Sequence, residues 1–143
     1  MLVSTVRGRR RWGGTLAETA VIGAAALLLL IGMIVTGLGV FRYQQLGALA
    51  REGARWAAVH GPNWQANQGG GVQPTATNVM TSAVKPMAVG MNPTNITCNL
   101  QWPAPAGTAP TGMVSVTLTY TWTPEAFLSP VTLQSTSTVP ILY

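Results

Sequence analysis

Gly13, Gly14 and Glu18 are the residues whose types and spacing could do chemistry together. That chemistry is cleavage of one peptide bond, followed by pairing of the charge that cleavage creates. A basic leader, Arg9-Arg10-Arg11-Trp12, ends in the two glycines, and an apolar run begins just after Glu18. In a secretory signal the apolar region precedes the cut and is discarded with it. Here the order is reversed, so a cut between Gly13 and Gly14 would remove the arginines and keep the apolar run. Gly14 would become an amino terminus, with Glu18 as the fifth residue of the processed chain. Glu18 is the only charge between Arg11 and Arg42, and an isolated carboxylate at the mouth of a membrane segment is costly. As an ordinary charge at a helix N-terminus it would contribute less than about 1 kcal/mol through the dipole. A sharper role follows from cleavage: the Gly14 ammonium of a neighbouring subunit would pair with Glu18 inside the bilayer. Either charge buried alone is expensive, so the pair would set the axial register between subunits.

Elsewhere the sequence offers no catalytic constellation, and no enzymatic activity, metal or cofactor is expected. The sole histidine, His60, falls at a helix C-terminus, where it interacts favourably with the dipole or forms a solvated cap. A metal site would need more His, Asp, Glu or Cys ligands than this chain can assemble. Serines and threonines are plentiful, but no base and orienting group can be placed around them. Gly69-Gly70-Gly71 lacks the lysine and Ser/Thr of a phosphate-binding loop. Asn95-Ile96-Thr97 matches a glycosylation sequon only as a short pattern. The single cysteine, Cys98, excludes an intrachain disulfide. It alternates with apolar residues and reads as a small buried hydrophobe; a reactive thiol would need a basic neighbour, and none is close in sequence. Trp64, Trp102 and Trp122 fit packing better than a sugar or protein contact, and Trp12 reads as an interface anchor.

These residues must be positioned by a membrane helix and one small domain. Ala20–Val40 is uncharged and almost wholly apolar, and its 21 residues span about 31 Å as a helix, roughly one hydrocarbon thickness. Helix formers continue without proline until Gly61-Pro62, so a single helix is expected from about Thr15 to about Val59. Ala50, Ala54 and Ala58 recur at intervals of four along it and are candidate helix-packing positions, since small residues let helices approach closely. Gly61–Pro74 reads as a loop. Thr75–Val89 can form a short amphipathic helix with Val79, Met80, Ala83, Val84 and Met87 on one face, weakened at its end by Pro86 and Gly90. The remainder alternates with period two. Ile96, Cys98, Leu100 and Trp102 form one apolar face; Val114, Val116, Leu118, Tyr120 and Trp122 form another; Val131 and Leu133 begin a third strand that turns polar. The expected fold class is α+β: a long N-terminal transmembrane helix extending into a small extracytoplasmic domain with a short helix and a three-stranded antiparallel sheet. Such a small sheet needs a helix across its apolar face.

The 143 residues carry a net charge of +5, but Arg7, Arg9, Arg10 and Arg11 lie in the leader. Beyond residue 13 the bases are Arg42, Arg51, Arg55 and Lys85, against Glu18, Glu52 and Glu125. The basic character therefore belongs to the leader and fits the positive-inside rule, not a nucleic-acid surface. The expected division is a cytoplasmic leader at 1–13, a long helix at 14–61 with its span at about 20–40, and an extracytoplasmic domain at 62–143.

The leader ending in glycine, Glu18 at the fifth processed position and the long helix resemble type IV pilins and pseudopilins. The closer resemblance is to the TadE-like family of the tight-adherence pilus system. It is carried by Gly14-Thr15-Leu16-Ala17-Glu18, the span to Phe41, and Ala50-Arg51-Glu52-Gly53-Ala54-Arg55-Trp56-Ala57-Ala58. It covers residues 9–61; the strands containing VTLTYTW and VTLQSTSTVPI are similar to the family's C-terminal part but less specific. Two departures stand out: Thr19 follows the glutamate where an aromatic residue is common, and no proline interrupts the span. The resemblance implies a minor pseudopilin, cut by a prepilin peptidase and anchored by a single pass in the inner-membrane lipid. Its other partners would be pilin-like subunits and the inner-membrane pilus assembly platform, for assembly of a pilus or a related secretion machine. The alternative is a single-pass signal-anchored protein displaying a small extracytoplasmic ligand-binding β domain, which has no use for Gly13-Gly14 or Glu18.

Overall fold

The computed structural model describes residues 12–61, 73–102, 112–124 and 129–142. The leader arginines, Trp64 and most of the 61–74 loop, Glu125, and the connections at 103–111 and 125–128 lie outside the described residues. The fold is α+β, with a long apolar helix, a short helical segment and a three-stranded antiparallel sheet. Helix α1 runs Trp12–Val59 and so begins earlier than the sequence pattern suggests. The chain divides into two compact units, Met1–Gly37 and Leu38–Tyr143.

In the first unit, the described part of α1 buries nothing. Leu27, Leu28, Leu29, Leu30 and Ile31 follow one another and are all exposed. Successive residues step about 100° around a helix, so these five cover its whole circumference. The helix is long and apolar enough to cross a membrane, and it fits a single-pass membrane protein. The hydroxyls of Thr19 and Thr36 are satisfied within the helix itself. Thr19 donates to the Thr15 carbonyl, and Thr36 donates to the Gly32 carbonyl at 2.7 Å.

In the second unit, α1 becomes one-sided. Leu46, Leu49, Ala50, Gly53, Ala54, Ala57 and Ala58 are buried, whereas Gln44, Arg51 and Arg55 are exposed. The spacing of three and four is that of a single buried stripe. Gly53 brings the helix close to its cover: a Cβ there would lie 3.1 Å from Val79 Cγ1, 3.5 Å from Val116 Cγ1 and 3.6 Å from Val84 Cγ2. At Gly47 the nearest side chain is Ser135, at 3.6 Å. The end of α1 is capped by groups from two directions. His60 N–H donates to the Trp56 carbonyl at 3.0 Å, and Leu142 N–H donates to the Ala58 carbonyl at 3.1 Å, so carbonyls left over by the helix find partners.

The short helical segment is α2 (Ala76–Val79), a π-helical turn (Met80–Val84) and α3 (Lys85–Met87). Asn78 Oδ1 accepts from the Thr75 N–H at 3.4 Å and from the Thr75 hydroxyl, closing its start. The π turn corrects the expected apolar face. Val79, Ala83 and Val84 are buried as the spacing implies, but Met87 is exposed and Ala88 is buried in its place. A wider turn inserts one residue into the period, which rotates the helical side chains after it by about 100°, and Ala88 leaves the helix at φ -77 and ψ 53. Gly90 then adopts φ +76, a left-handed conformation that glycine takes without a Cβ clash, and Asn92 Oδ1 accepts from Thr94 N–H at 3.1 Å to turn the chain into the sheet.

Strands β1 (Ile96–Gln101), β2 (Met113–Trp122) and β3 (Val131–Pro140) form a meander in the order β1-β2-β3. The central strand holds the core: Val114, Val116, Leu118, Tyr120 and Trp122 are all buried. The register places Leu118 opposite Cys98 and Ser135, and Tyr120 opposite Ile96 and Leu133. The edge strands are less covered, so Cys98 and Leu100 are only half-buried. Trp102 falls just past β1 and donates from Nε1 to the Pro74 carbonyl at 3.1 Å.

The close approach at Gly53 and the fully buried Leu118 set a ranking that thermal unfolding of the full chain in detergent can check. Leu118→Ala is expected to cost about 2–5 kcal/mol by leaving a cavity. Gly53→Leu should cost about 1–3 kcal/mol by overpacking against Val79, Val84 and Val116, while Thr136→Ala on the exposed side of β3 should stay within about 0.5 kcal/mol.

Candidate functional site

Gly13 and Gly14 occupy the first turn of α1, where backbone N–H groups have no partner within the helix. A Cβ added at Gly14 would meet nothing within 4 Å, and the same is true of Gly23, Gly32 and Gly37. Glu18 is exposed on the same helix. It is the only carboxylate between Gly14 and Phe41. The structure therefore sets one acid near the start of a helix surface that is apolar on every side and carries shallow notches at its glycines.

Ala50, Ala54 and Ala58, the other residues singled out by spacing, sit in the second unit and are fully buried within the chain's own domain. They share a stripe with Gly53, whose neighbours are Val79, Val84 and Val116. The two groups of candidate residues thus lie in different units of the chain. The exposed face of this part of α1 is polar instead, carrying Gln44, Arg51 and Arg55.

A third cluster escaped the sequence reading. Arg42 Nη1 donates to the Tyr120 hydroxyl at 3.1 Å and to the Gly90 carbonyl at 3.3 Å. Its guanidinium carbon lies 5.3 Å from the Trp122 ring centroid, within the range of a cation–π contact. Gly39, one turn earlier, makes room for that ring: a Cβ there would fall 3.1 Å from Trp122 Cζ3. Gln45 Nε2 donates to the Val89 carbonyl at 2.5 Å. The signal was present in the sequence as an arginine just past the apolar run, with Tyr120 and Trp122 on the buried face of β2. What the sequence does not give is the pairing of α1 with the end of β2.

His60 stacks on Trp56, with ring centroids 4.2 Å apart and planes 15° from parallel. Its Nδ1 lies 2.9 Å from the Trp56 carbonyl oxygen, so the ring reaches back over the last turn as a C-terminal group should. Cys98 lines a shallow groove with Ala76, Thr77, Met80 and Lys85. Lys85 is a basic residue of the same groove that sequence distance concealed. Burial nevertheless pushes the Cys98 thiol above its ordinary value, because desolvation penalises the thiolate. Among the described residues no three His, Cys, Asp or Glu side chains gather in a way that could hold a metal.

Residues 13–55 match the family model described as TadE-like protein. This is the family that the N-terminal half of the sequence resembles, and the match spans Gly14, Glu18, the apolar run and the Arg51-Glu52-Gly53-Ala54-Arg55 segment. No curated protein and no solved structure matches the chain.

The raised thiol gives a direct measurement. Alkylation of Cys98 by iodoacetamide should be slower in the folded chain than in the denatured chain at neutral pH. The folded rate should still climb at pH values where the denatured rate has levelled. The sign for stability follows: a thiol raised by folding contributes fully below its ordinary value, and that contribution is lost as pH rises through the raised one.

Proposed function

We propose that this chain is a minor pseudopilin of the TadE-like type, a non-enzymatic membrane subunit for assembly of a tight-adherence pilus or a related secretion machine. The observation that carries this reading is a coincidence on one helix. The family match at residues 13–55 falls on a segment that is apolar around its whole circumference and unburied in its own fold through residue 31. A surface of that kind is suited to lipid and to the apolar helices of other subunits. The match supports a pilus-related protein, and the leader chemistry supplies the finer assignment.

In this reading residues 1–13 form the cytoplasmic leader, 14–61 the helix and 62–143 an extracytoplasmic domain, with a single pass through the inner membrane. A prepilin peptidase cuts between Gly13 and Gly14, removing the arginines that hold the leader at the cytoplasmic face. The free Gly14 ammonium of one subunit then pairs with Glu18 of another. The carboxylate is tolerable in the bilayer only when partnered, so the pair favours one axial offset over its neighbours. The partners are other pilin-like subunits, the peptidase and the inner-membrane assembly platform. Ala50, Ala54 and Ala58 serve this function indirectly, by locking the domain onto the helix that carries it.

The intact mass and N-terminal residue of the protein recovered from its native membrane test the reading. A chain beginning at Gly14 is expected; a chain beginning at Met1 would favour a signal-anchored display of the β domain instead. Glu18→Ala should insert into the membrane normally and fail to co-assemble with pilin-like subunits in crosslinking. Normal co-assembly by that variant would remove Glu18 from the mechanism.

A further inference from the structure

We infer that the end of the domain built by Arg42, Trp122 and the turn around Val89 is a seat for phospholipid headgroups of the same bilayer that holds the apolar span. The inference rests on the reading that residues of about 20–40 cross the membrane. It does not require pilus assembly.

The first observation is depth. The apolar run ends at Val40-Phe41, and Arg42 is the first charge after it. At 1.5 Å per helical residue, Arg42 and Gln45 lie about 3 and 8 Å past Val40, within a headgroup layer of roughly 5–8 Å on each side of the hydrocarbon. The turn after α3 is tied to this level by the bonds from Arg42 to the Gly90 carbonyl and from Gln45 to the Val89 carbonyl. The second observation is the surface that the turn presents. Val89 is 75% exposed and Met87 53% exposed, and Phe41 stands out from the helix at the same level. These apolar side chains share the level of Arg42 and Gln45 within the second unit, where they can enter the boundary between headgroups and acyl chains.

The third observation is the chemistry of Arg42. Among the described residues both of its hydrogen bonds run from Nη1 to neutral oxygens. Among the same residues Arg42 Nε and Trp122 Nε1 are buried without a partner and do not face solvent, whereas the Arg42 side chain as a whole is only half-buried. The half-buried guanidinium keeps its positive charge over a rigid aromatic ring. A guanidinium presented this way matches a phosphate, which supplies charge and several acceptor oxygens at once. Phospholipid phosphate is the acceptor concentrated at this depth. The seat would fix the height of the domain above the bilayer, while the helix fixes its position in the plane.

The test uses the full chain reconstituted in phosphatidylcholine–phosphatidylglycerol vesicles, in a Cys98→Ser background. A spin label on Val89→Cys should collide more with oxygen than with a water-soluble nickel chelate, and a label on Thr138→Cys should do the reverse. Arg42→Gln should shift the label at position 89 toward water, and Arg42→Lys should restore part of the protection. Because Arg42→Gln also removes contacts to Tyr120 and Trp122, a second variant keeps the test independent of folding. Val89→Asp lies outside the core and should move a label on Met87→Cys into water. Labels at 87 and 89 that report water in the unmodified background would overturn the seat. So would a Glu125→Gln variant that reproduces Arg42→Gln, because the arginine would then be held by that carboxylate. Resistance to alkaline carbonate separates the two levels: a resistant chain with both labels in water loses the seat and keeps the anchor, whereas an extracted chain loses both.

Discussion

One helix that must satisfy two solvents is the constraint on which the rest of this structure depends. Through residue 31, α1 carries large apolar side chains on every side and buries none of them in its own fold. From Leu46 onward the same helix buries one stripe and exposes Gln44, Arg51 and Arg55 around it. Apolar surface is favourable only where water is absent, so the two parts cannot share an environment. The change between them occurs in the few residues around Arg42, near the start of the second unit at Leu38.

The domain is fastened to that helix by subtraction of side chains. Gly53 faces Val79, Val84 and Val116, and Gly39 faces the Trp122 ring; a larger residue at either point would need the space its neighbour now fills. Alanines on the same stripe keep the helix narrow along its length, so a sheet of only three strands can use it as the opposite wall of its core. Small sheets have little stability unless one face is covered, and here the cover is α1 together with the α2–α3 segment. The helix that carries the apolar run thereby also lines the domain's core, opposite the central strand.

Much of this was legible because it depends on periodicity. The central strand's alternation of Val114, Val116, Leu118, Tyr120 and Trp122 is realised residue by residue, and the meander follows from three such runs separated by turn-rich segments. The stripe through Leu46, Leu49, Ala50 and Ala54 could be read in the same way. The errors came where a local departure resets the period. The π turn at Met80–Val84 exchanges Met87 for Ala88, and no residue type announces an extra residue in a helical turn. The Arg42 cluster was hidden for a different reason. It joins residues 78 positions apart, and a sequence shows spacing along the chain but not which end of a strand a helix will meet. That Lys85 shares a groove with Cys98 was concealed in the same manner.

The proposed role of Glu18 follows from what an apolar helix surface lacks. Leucine, alanine and glycine pack against similar residues at many axial offsets with similar energy, because dispersion contacts are individually weak and alike. In lipid even the hydrophobic difference between those offsets disappears. Such helices would associate without a defined step between subunits. A single buried charge changes this, because one offset gives it a partner and the others leave it alone at a cost of several kcal/mol. Before cleavage the residue ahead of Gly14 is an amide-linked Gly13, which offers no positive charge. Removal of the leader would then supply the ammonium and free the helix from its arginines in one event, so that register and readiness to assemble arise from the same broken bond.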